Sequence, residues 1–365
     1  MLKRTRSFLV LVMLLMTVTM SAQVTTATMS GKVTAQDEPI IGATIVAIHE
    51  PSGTRYGTVT NVSGQFNLQG MRTGGPYKVE ISYVGYQTAI YKGINLLLGE
   101  NYVLNVSLKE SSELLDEVVV TASKESNMKS DRAGAIMNAN RDMISNTPTI
   151  SRSISDIMRL SPQGADVGNG FAVGGGNYRQ SFVTVDGAAF NNTFGLGGNL
   201  PANGSPISLD ALEQVTVAVT PFDVRQSGFT GGAINAVTRS GDNQFRGTAY
   251  MYFNNENLKG SKVDDYELLR SKAQYYTYGA SFGGPIIKDK LFFFVNGEYE
   301  DNVTAGSNYR PRTALGESYS GGNIHRPLQS DMDDMRGFLL NKYNFDPGKY
   351  NDYSTDTPAY RVMAR

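Results

Sequence analysis

The chain is 365 residues long with a formal net charge of −1, which allows two to three domains and leaves no basic excess to suggest a nucleic-acid partner. It has no cysteine, which excludes disulfides, thiolate metal ligands and cysteine nucleophiles together. A content of 39 Gly, 20 Tyr and 16 Phe without Trp points to a turn-rich, aromatic-decorated β protein rather than a helical enzyme. The histidines, His49 and His325, lack the spacing of a His pair or His/Glu metal site and read as ordinary surface or loop residues. No catalytic residue, metal or cofactor is expected.

In chain order, Lys3, Arg4 and Arg6 precede the apolar run Phe8–Met20. At about 13 residues this run is too short to cross a hydrocarbon core about 30 Å thick. Ser21, Ala22 and Gln23 supply small residues for cleavage, expected after Ala22, so residues 1–22 read as a secretory signal. No later stretch reaches 18 consecutive apolar residues, so any membrane insertion must use β-strands.

Residues 23–110 alternate and turn like a small β-sandwich. Turns are expected at Asp37–Pro39, Glu50–Gly53 and Asn61–Gly64. Gly42 and Ala43 are small where strands are expected to approach closely. Tyr77, Val79, Ile81 and Tyr83 share one strand face, and Lys78, Glu80 and Ser82 the other. Tyr83 and Tyr86 invite a sugar-stacking reading, against which packing at the core or its rim is preferred. The order GKV…PIIGATIV…TNVSGQFNL…YKVEISYVGYQT resembles the carboxypeptidase-regulatory-like, prealbumin-like β-sandwich. The zinc ligands of a carboxypeptidase are missing.

Residues 111–124 form a linker containing DEVVVTAS, that is Asp116, Glu117, Val118, Val119, Val120, Thr121, Ala122 and Ser123. Three valines and a threonine in succession are stiff and favour an extended backbone. Such a strand either belongs to its own domain or adds itself to the open sheet edge of a partner. These residues alone leave both readings open.

Residues 125–241 start polar. A helical period over Thr149–Leu160 places Ile150, Ile154, Ile157 and Met158 on one stripe, stopped by Ser161–Pro162. Gly174–Gly176 lacks the following Lys and Ser/Thr of a phosphate loop and reads as a tight backbone crossing. An alternating strand ends in the turn Val185, Asp186, Gly187. Asn191–Pro206 reads as an exposed loop, Ser208–Glu213 as a capped turn and Gln214–Thr220 as a strand. Gly231, Gly232, Ala233, Ile234 and Asn235 then lead through Thr238 and Arg239 to Gly241. The order Asp156–Pro162, Val185–Gly187, Leu209–Val219 and Gly231–Gly241 resembles the plug of TonB-dependent outer-membrane receptors. Val219–Asp223 lacks the usual Gly-Pro before its Asp, which places the resemblance in the OmpA-related, Oar-like branch.

After Gly241 come long alternating stretches at Phe245–Phe253, Tyr275–Gly283 and Leu291–Glu300, with Tyr360–Arg365 as the start of another. Strands of about ten residues with one apolar face and aromatic ends suit a transmembrane barrel. Lys288–Lys290 reads as a periplasmic turn, and the polar segments 254–273 and 301–358 as extracellular loops. Leu328–Tyr343 is expected to carry a helix with Met335, Leu339 and Leu340 on its apolar side. A barrel must close in lipid, and so few strands cannot close one. Residues 242–365 therefore read as the start of a barrel, and the sequence as an N-terminal piece of a larger receptor.

The expected fold is mainly β: a prealbumin-like β-sandwich, an α+β plug, and the first strands of an incomplete transmembrane β-barrel. The resemblance implies an outer-membrane receptor that takes up a large or scarce substrate, such as an oligosaccharide, peptide or chelated metal. Oar-like relatives have also been linked to protein export. It makes residues 116–123 the TonB box, because they lie between an N-terminal domain and a plug. It also implies as partners TonB with its inner-membrane energising complex, outer-membrane lipid, an extracellular substrate and a surface lipoprotein. The N-terminal domain would then be periplasmic. The alternative is a cell-surface adhesion or scaffold protein whose sandwich binds partners or carbohydrate.

Overall fold

A computed structural model describes residues 25–110, 118–121, 136–149, 152–167, 170–192, 198, 200–201, 204–219, 230–258, 260, 262–263, 266–267, 272–306, 309–318, 324–350 and 353–365. They divide into two compact units. One runs up to Gly247 and includes Ser281–Asn296 and Met363–Arg365; the other comprises Thr248–Ala280 and Gly297–Val362.

The first domain is built from β1 (Ala27–Ala35), β2 (Glu38–Pro39), β3 (Thr44–His49), β4 (Thr54–Val59), β5 (Gln65–Met71), β6 (Gly74–Ser82), β7 (Ala89–Leu96), β8 (Asn101–Val103) and β9 (Val106–Ser107). In one sheet β1 pairs antiparallel with β2 and β5 and parallel with β8 and β9. The other has the order β7-β6-β3-β4, extended beyond β7 by β10 (Val118–Thr121). Period-two alternation sends Met29, Ile45, Met71, Tyr77, Ile81, Ile94 and Leu96 into the space between the sheets, where all are fully buried. Burying each such side chain contributes roughly 1.5–3 kcal/mol. Lys78 and Glu80 face the other way and form an ion pair at 2.7 Å. Tyr86 packs against the rim of this core, 5.7 Å from the ring of exposed Tyr83.

Two expectations are corrected in this domain. Gly42 has φ +78° with open space where a side chain would stand, so turn geometry and not a close approach requires glycine. His49 is buried and is not a surface residue. It continues the inward series Ile45, Ala47, His49 of β3. Its ring lies 5.0 Å from that of Tyr77, and Nδ1 is 2.6 Å from Ser52 Oγ. Burial, and secondarily the positive charge of Arg72, lower its pKa to about 4. His325 is exposed, with its ring 4.5 Å from that of Tyr309.

The middle segment contains β11 (Ile136–Asn140), α1 (Arg141–Asn146), α2 (Ile154–Met158), β12 (Gly164–Asp166), β13 (Phe171–Val173), β14 (Ser181–Val185), β15 (Ala188–Ala189), β16 (Leu212–Ala218) and β17 (Gly232–Thr238). Its main sheet has the order β11-β16-β17-β14-β15, with β14 and β17 parallel. Ile154, Ile157 and Met158 of α2 join Val183, Leu212, Val215 and Ile234 of the sheet in a second core. The helix expected over Thr149–Leu160 is shorter than its period suggested. Arg152 stands at φ +51°, which breaks a right-handed helix just before its start, and Ser153 N donates to Asp156 Oδ2 at 3.3 Å to close the first turn. Ile150 lies outside the described residues. Helix α1 gave no sequence signal because it buries only Ile144.

The third segment contains β18 (Arg246–Asn255), β19 (Lys262–Val263), β20 (Tyr266–Glu267), β21 (Gln274–Ile287), β22 (Leu291–Ala305), β23 (Arg310–Arg312), β24 (Ile324–Leu328), α3 (Gln329–Tyr343), β25 (Ser354–Asp356) and β26 (Ala359–Ala364). The long sheet has the order β18-β21-β22-β25, with β26 also on β22. At 14 and 15 residues, β21 and β22 exceed the expected length: β21 runs on to Ile287, up to the expected turn, and β22 into residues 301–305, read as loop. Helix α3 forms but buries none of its residues; Met335 and Leu340, expected on its apolar side, are exposed. No helix among the described residues is long and apolar enough to cross a membrane.

Candidate functional site

The box strand, the plug motifs and the barrel strands are the three features with a functional expectation. Within the first, Val118–Thr121 is extended, and Asp116, Glu117, Ala122 and Ser123 lie outside the described residues, as does Ala22 of the expected cleavage site. The strand is not alone. It runs parallel to β7 in the register Val118↔Ala89, Val119↔Ile90, Val120↔Tyr91 and Thr121↔Lys92. The local sequence predicts an extended backbone; nothing local marks β7 as the neighbour.

The plug motifs meet at one end of the β14–β17 pair. Asp186 and Gly187, both at positive φ, form the two-residue turn between β14 and β15. Asp186 Oδ1 accepts from Thr238 N at 3.0 Å, Thr238 Oγ1 donates to Asp186 Oδ2, and Asp186 N donates to Ala236 O at 2.9 Å. Deeper in the sheet, Thr184 Oγ1 donates to Asn235 Oδ1 at 2.7 Å, with both residues buried. A Cβ on Gly232 would stand 2.6 Å from Val173 Cγ1, so close packing on β13 requires glycine there. Val185, Ala233 and Ile234 are core residues. Arg239 donates to Asp210 O at 3.2 Å and lies over the Phe294 ring at 4.7 Å. Arg141 approaches the Asp210 carboxylate from α1 at 3.6 Å, so the short turn around Leu209–Ala211 is held by two arginines. Gly231 packs over Gln180. Val185–Gly187 and the stretch from Gly232 to Arg239 are thus one hydrogen-bonded junction.

The sandwich and the middle segment touch within the same unit. Arg72 donates to Ser240 O at 3.4 Å, Leu98 N to Gln214 Oε1 at 3.2 Å, and Asn138 Nδ2 to Glu100 Oε1 at 3.3 Å. A cleft of about 280 Å³ between them is lined by Tyr56, Arg72, Glu213, Thr238, Ser240 and Arg365, among others. Sequence reasoning did not find this junction, because its polar partners are more than a hundred residues apart or lie in loops.

The long strands reverse the usual sense of burial. In β22, Phe294, Asn296, Glu298 and Glu300 are buried while Leu291 and Val295 are exposed. In β21, Thr277 and Ser281 are buried while Tyr278, Phe282 and Ile286 are exposed. Arg361 of β26 bonds Glu298 at 2.8 Å and Glu300 at 2.6 Å, and Tyr250 OH donates to Glu298 at 2.5 Å. A sheet that buries an Arg–Glu–Glu group and exposes Phe, Ile, Leu and Val has the pattern of a transmembrane barrel wall, polar inside and apolar outside. Among the described residues no group of three or more His, Asp or Glu is placed to hold a metal ion.

Two protein families match. Residues 28–109 match the carboxypeptidase regulatory-like domain, and residues 237–345 the outer membrane beta barrel domain. The TonB-dependent transporter Oar of Myxococcus xanthus is 27% identical over 222 residues, covering 59% of this chain and 19% of the relative. The TonB-dependent receptor SusC of Bacteroides thetaiotaomicron is 29% identical over 269 residues, covering 70% of this chain and 24% of the relative. The chain therefore spans a fifth to a quarter of the length of these relatives. Among solved structures, the outer membrane transporter YddB from Escherichia coli aligns at 14% identity with a TM-score of 0.41, covering 50% of this chain and 28% of that one.

Proposed function

From the premise that this chain belongs with the TonB-dependent receptors of the outer membrane, we propose that it is part of a transporter energised through its strand at Val118–Thr121. The residues from Asp116 to Ser123 serve as the box. TonB pairs with them as an added strand, and the pull displaces the plug from the barrel. The protein is a carrier and not an enzyme. One observation supports the reading above others: a β-branched strand, paired with β7 at a sheet edge, precedes in the chain a sheet that leads into lipid-facing strands. Backbone pairing is indifferent to side-chain identity, so a short strand of this kind can exchange partners. Each interstrand hydrogen bond contributes roughly 0.5–1.5 kcal/mol net. A few of them loaded together in shear would move a segment rich in Gly and Asn.

On this proposal the Asp186–Thr238 and Thr184–Asn235 bonds keep the plug sheet intact while its outer segments rearrange. The sandwich lies on the periplasmic side, where the inner-membrane partner can reach it. The substrate is large or scarce, and it binds on the extracellular side. The test uses the full-length receptor with and without Asp116–Ser123, titrated with the purified periplasmic domain of TonB. The expected result is at least a tenfold loss of affinity on deletion; equal binding by the two proteins would sink the box reading.

A further inference from the structure

We propose that Asn243 clamps the sandwich to the β21–β22 hairpin, and that the sandwich stays on this clamp while its other contact, with Gln214 and Asn138 of the middle segment, parts. This rests on the reading above that the middle segment is a plug that moves, and adds what holds the sandwich when it does.

The clamp joins three loops within one unit. The first is the sandwich turn Glu50–Gly53 between β3 and β4. Ser52 Oγ lies 2.6 Å from His49 Nδ1 and 2.8 Å from Thr54 Oγ1, and Gly53 N donates to His49 O at 2.8 Å, so the turn is fixed from within. The second is the connector 239–245 between β17 and β18. A Cβ on Gly241 would stand 2.3 Å from Phe293 O and 2.8 Å from Gly284 O, so the connector lies directly against the backbones of β21 and β22. The third is the turn Lys288–Lys290 between those two strands, with Asp289 at φ +60°. Asn243 links all three. Its backbone N donates to Pro51 O at 3.0 Å and its Nδ2 to Asp289 Oδ1 at 2.8 Å, while Asp289 N donates to Asn243 Oδ1 at 2.9 Å. Both ends of the side-chain amide are used, one as donor and one as acceptor. A Cβ on Gly53 would meet Asp289 Cβ at 3.4 Å, so the sandwich turn touches the hairpin turn directly.

The contact with the middle segment is the weaker of the two. Leu98 N reaches Gln214 Oε1 at 3.2 Å, and Asn138 Nδ2 reaches Glu100 Oε1 at 3.3 Å. Gln214 is buried, and its Nε2 has no hydrogen-bond partner among the described residues. A buried donor left unmet subtracts from what its contact contributes. Asn243 and Asp289 exchange two bonds and separate only when both break. Displacement of the middle segment therefore opens the Gln214 side first, and the sandwich remains on the hairpin.

The test reads amide hydrogen exchange in the unaltered full-length receptor in micelles, because a backbone N–H closes each contact: Leu98 on one side, Asn243 and Asp289 on the other. Protection at Asn243 and Asp289 is expected to exceed that at Leu98 by about tenfold or more; equal or reversed protection would overturn the order of parting. Asn243→Ala should lower protection at Asp289 by about tenfold and leave Leu98 within about twofold. Equal losses at both would mean one cooperative contact and would also overturn it. The movement itself is read in energised cells, in a background without other cysteines, with a small maleimide that enters the periplasm. L98C, at a buried position, should react about tenfold faster than after collapse of the proton gradient, while S52C, buried in the clamped turn, reacts at one rate in both states. Energy-dependent labelling at both positions would overturn the clamp, since the sandwich would then leave the hairpin. Equal labelling of L98C in both states would overturn the parting. The TonB titration above decides the box reading independently, so the two failures are told apart.

Discussion

The sandwich and the long strands β21 and β22 share one rule of alternation and obey it in opposite senses. In β6, Tyr77, Val79 and Ile81 are buried, with Lys78 and Glu80 turned towards water. In β22, Glu298 and Glu300 are buried and Val295 faces out. The backbone geometry is the same, so the difference lies in the solvent: water rewards hiding the apolar face, and lipid rewards showing it. One chain thus carries two interiors, an apolar one and a charged one.

The largest expected effect tests the charged interior. Arg361→Ala leaves Glu298 and Glu300 buried without their cation, and should destabilise the full-length receptor in micelles by about 3–5 kcal/mol in denaturant unfolding. A loss below about 1 kcal/mol would mean that this face is open to water. Its counterpart in the apolar interior is Ile81→Ala, expected to cost about 2–5 kcal/mol by the same measurement.

The exposed faces offer a sharper contrast. Val295→Lys should cost about 2–4 kcal/mol in a bilayer if β22 crosses near the midplane, whereas Val62→Lys on the exposed surface of the sandwich should change stability by less than about 0.5 kcal/mol. Equal small effects at both positions would remove the inference that β22 faces lipid.

His49 places a titration inside the apolar interior. Its pKa is about 4 in the folded protein against 6.5 as a free side chain, so the folded state binds fewer protons between these values. Stability is therefore unaffected above about pH 6.5 and falls as the pH drops towards about 4, by about 2–3 kcal/mol in all. His49→Asn should flatten that part of the profile of stability against pH. Among the buried positions the smallest effect is expected in the sheet of the middle segment, where Asn235→Ala leaves Thr184 Oγ1 buried without this partner, at about 1–2 kcal/mol.

Much of this was legible because turns and alternation are local properties. The Asp186–Gly187 turn, the strands β16 and β17 and the inward series of β6 follow from residue types that restrict φ or repeat with period two. His49 was legible too, had the Ile45–Ala47 alternation been carried two residues further. Helix α1 was not, since six residues with one buried side chain contain no period to detect.

The sequence by itself determined that the chain is β-rich, that Val118–Thr121 is extended, and that the final segment alternates over long stretches. Each of these depends on backbone preferences that neighbouring residues set. Only the tertiary structure decided which face of β22 is the inside, that Arg361 reaches Glu298 and Glu300 from 61 to 63 residues away, and that Val118–Thr121 lies on β7. A period-two pattern is unchanged when its faces are exchanged, and a strand's own sequence specifies hydrogen-bonding groups without naming the edge that satisfies them.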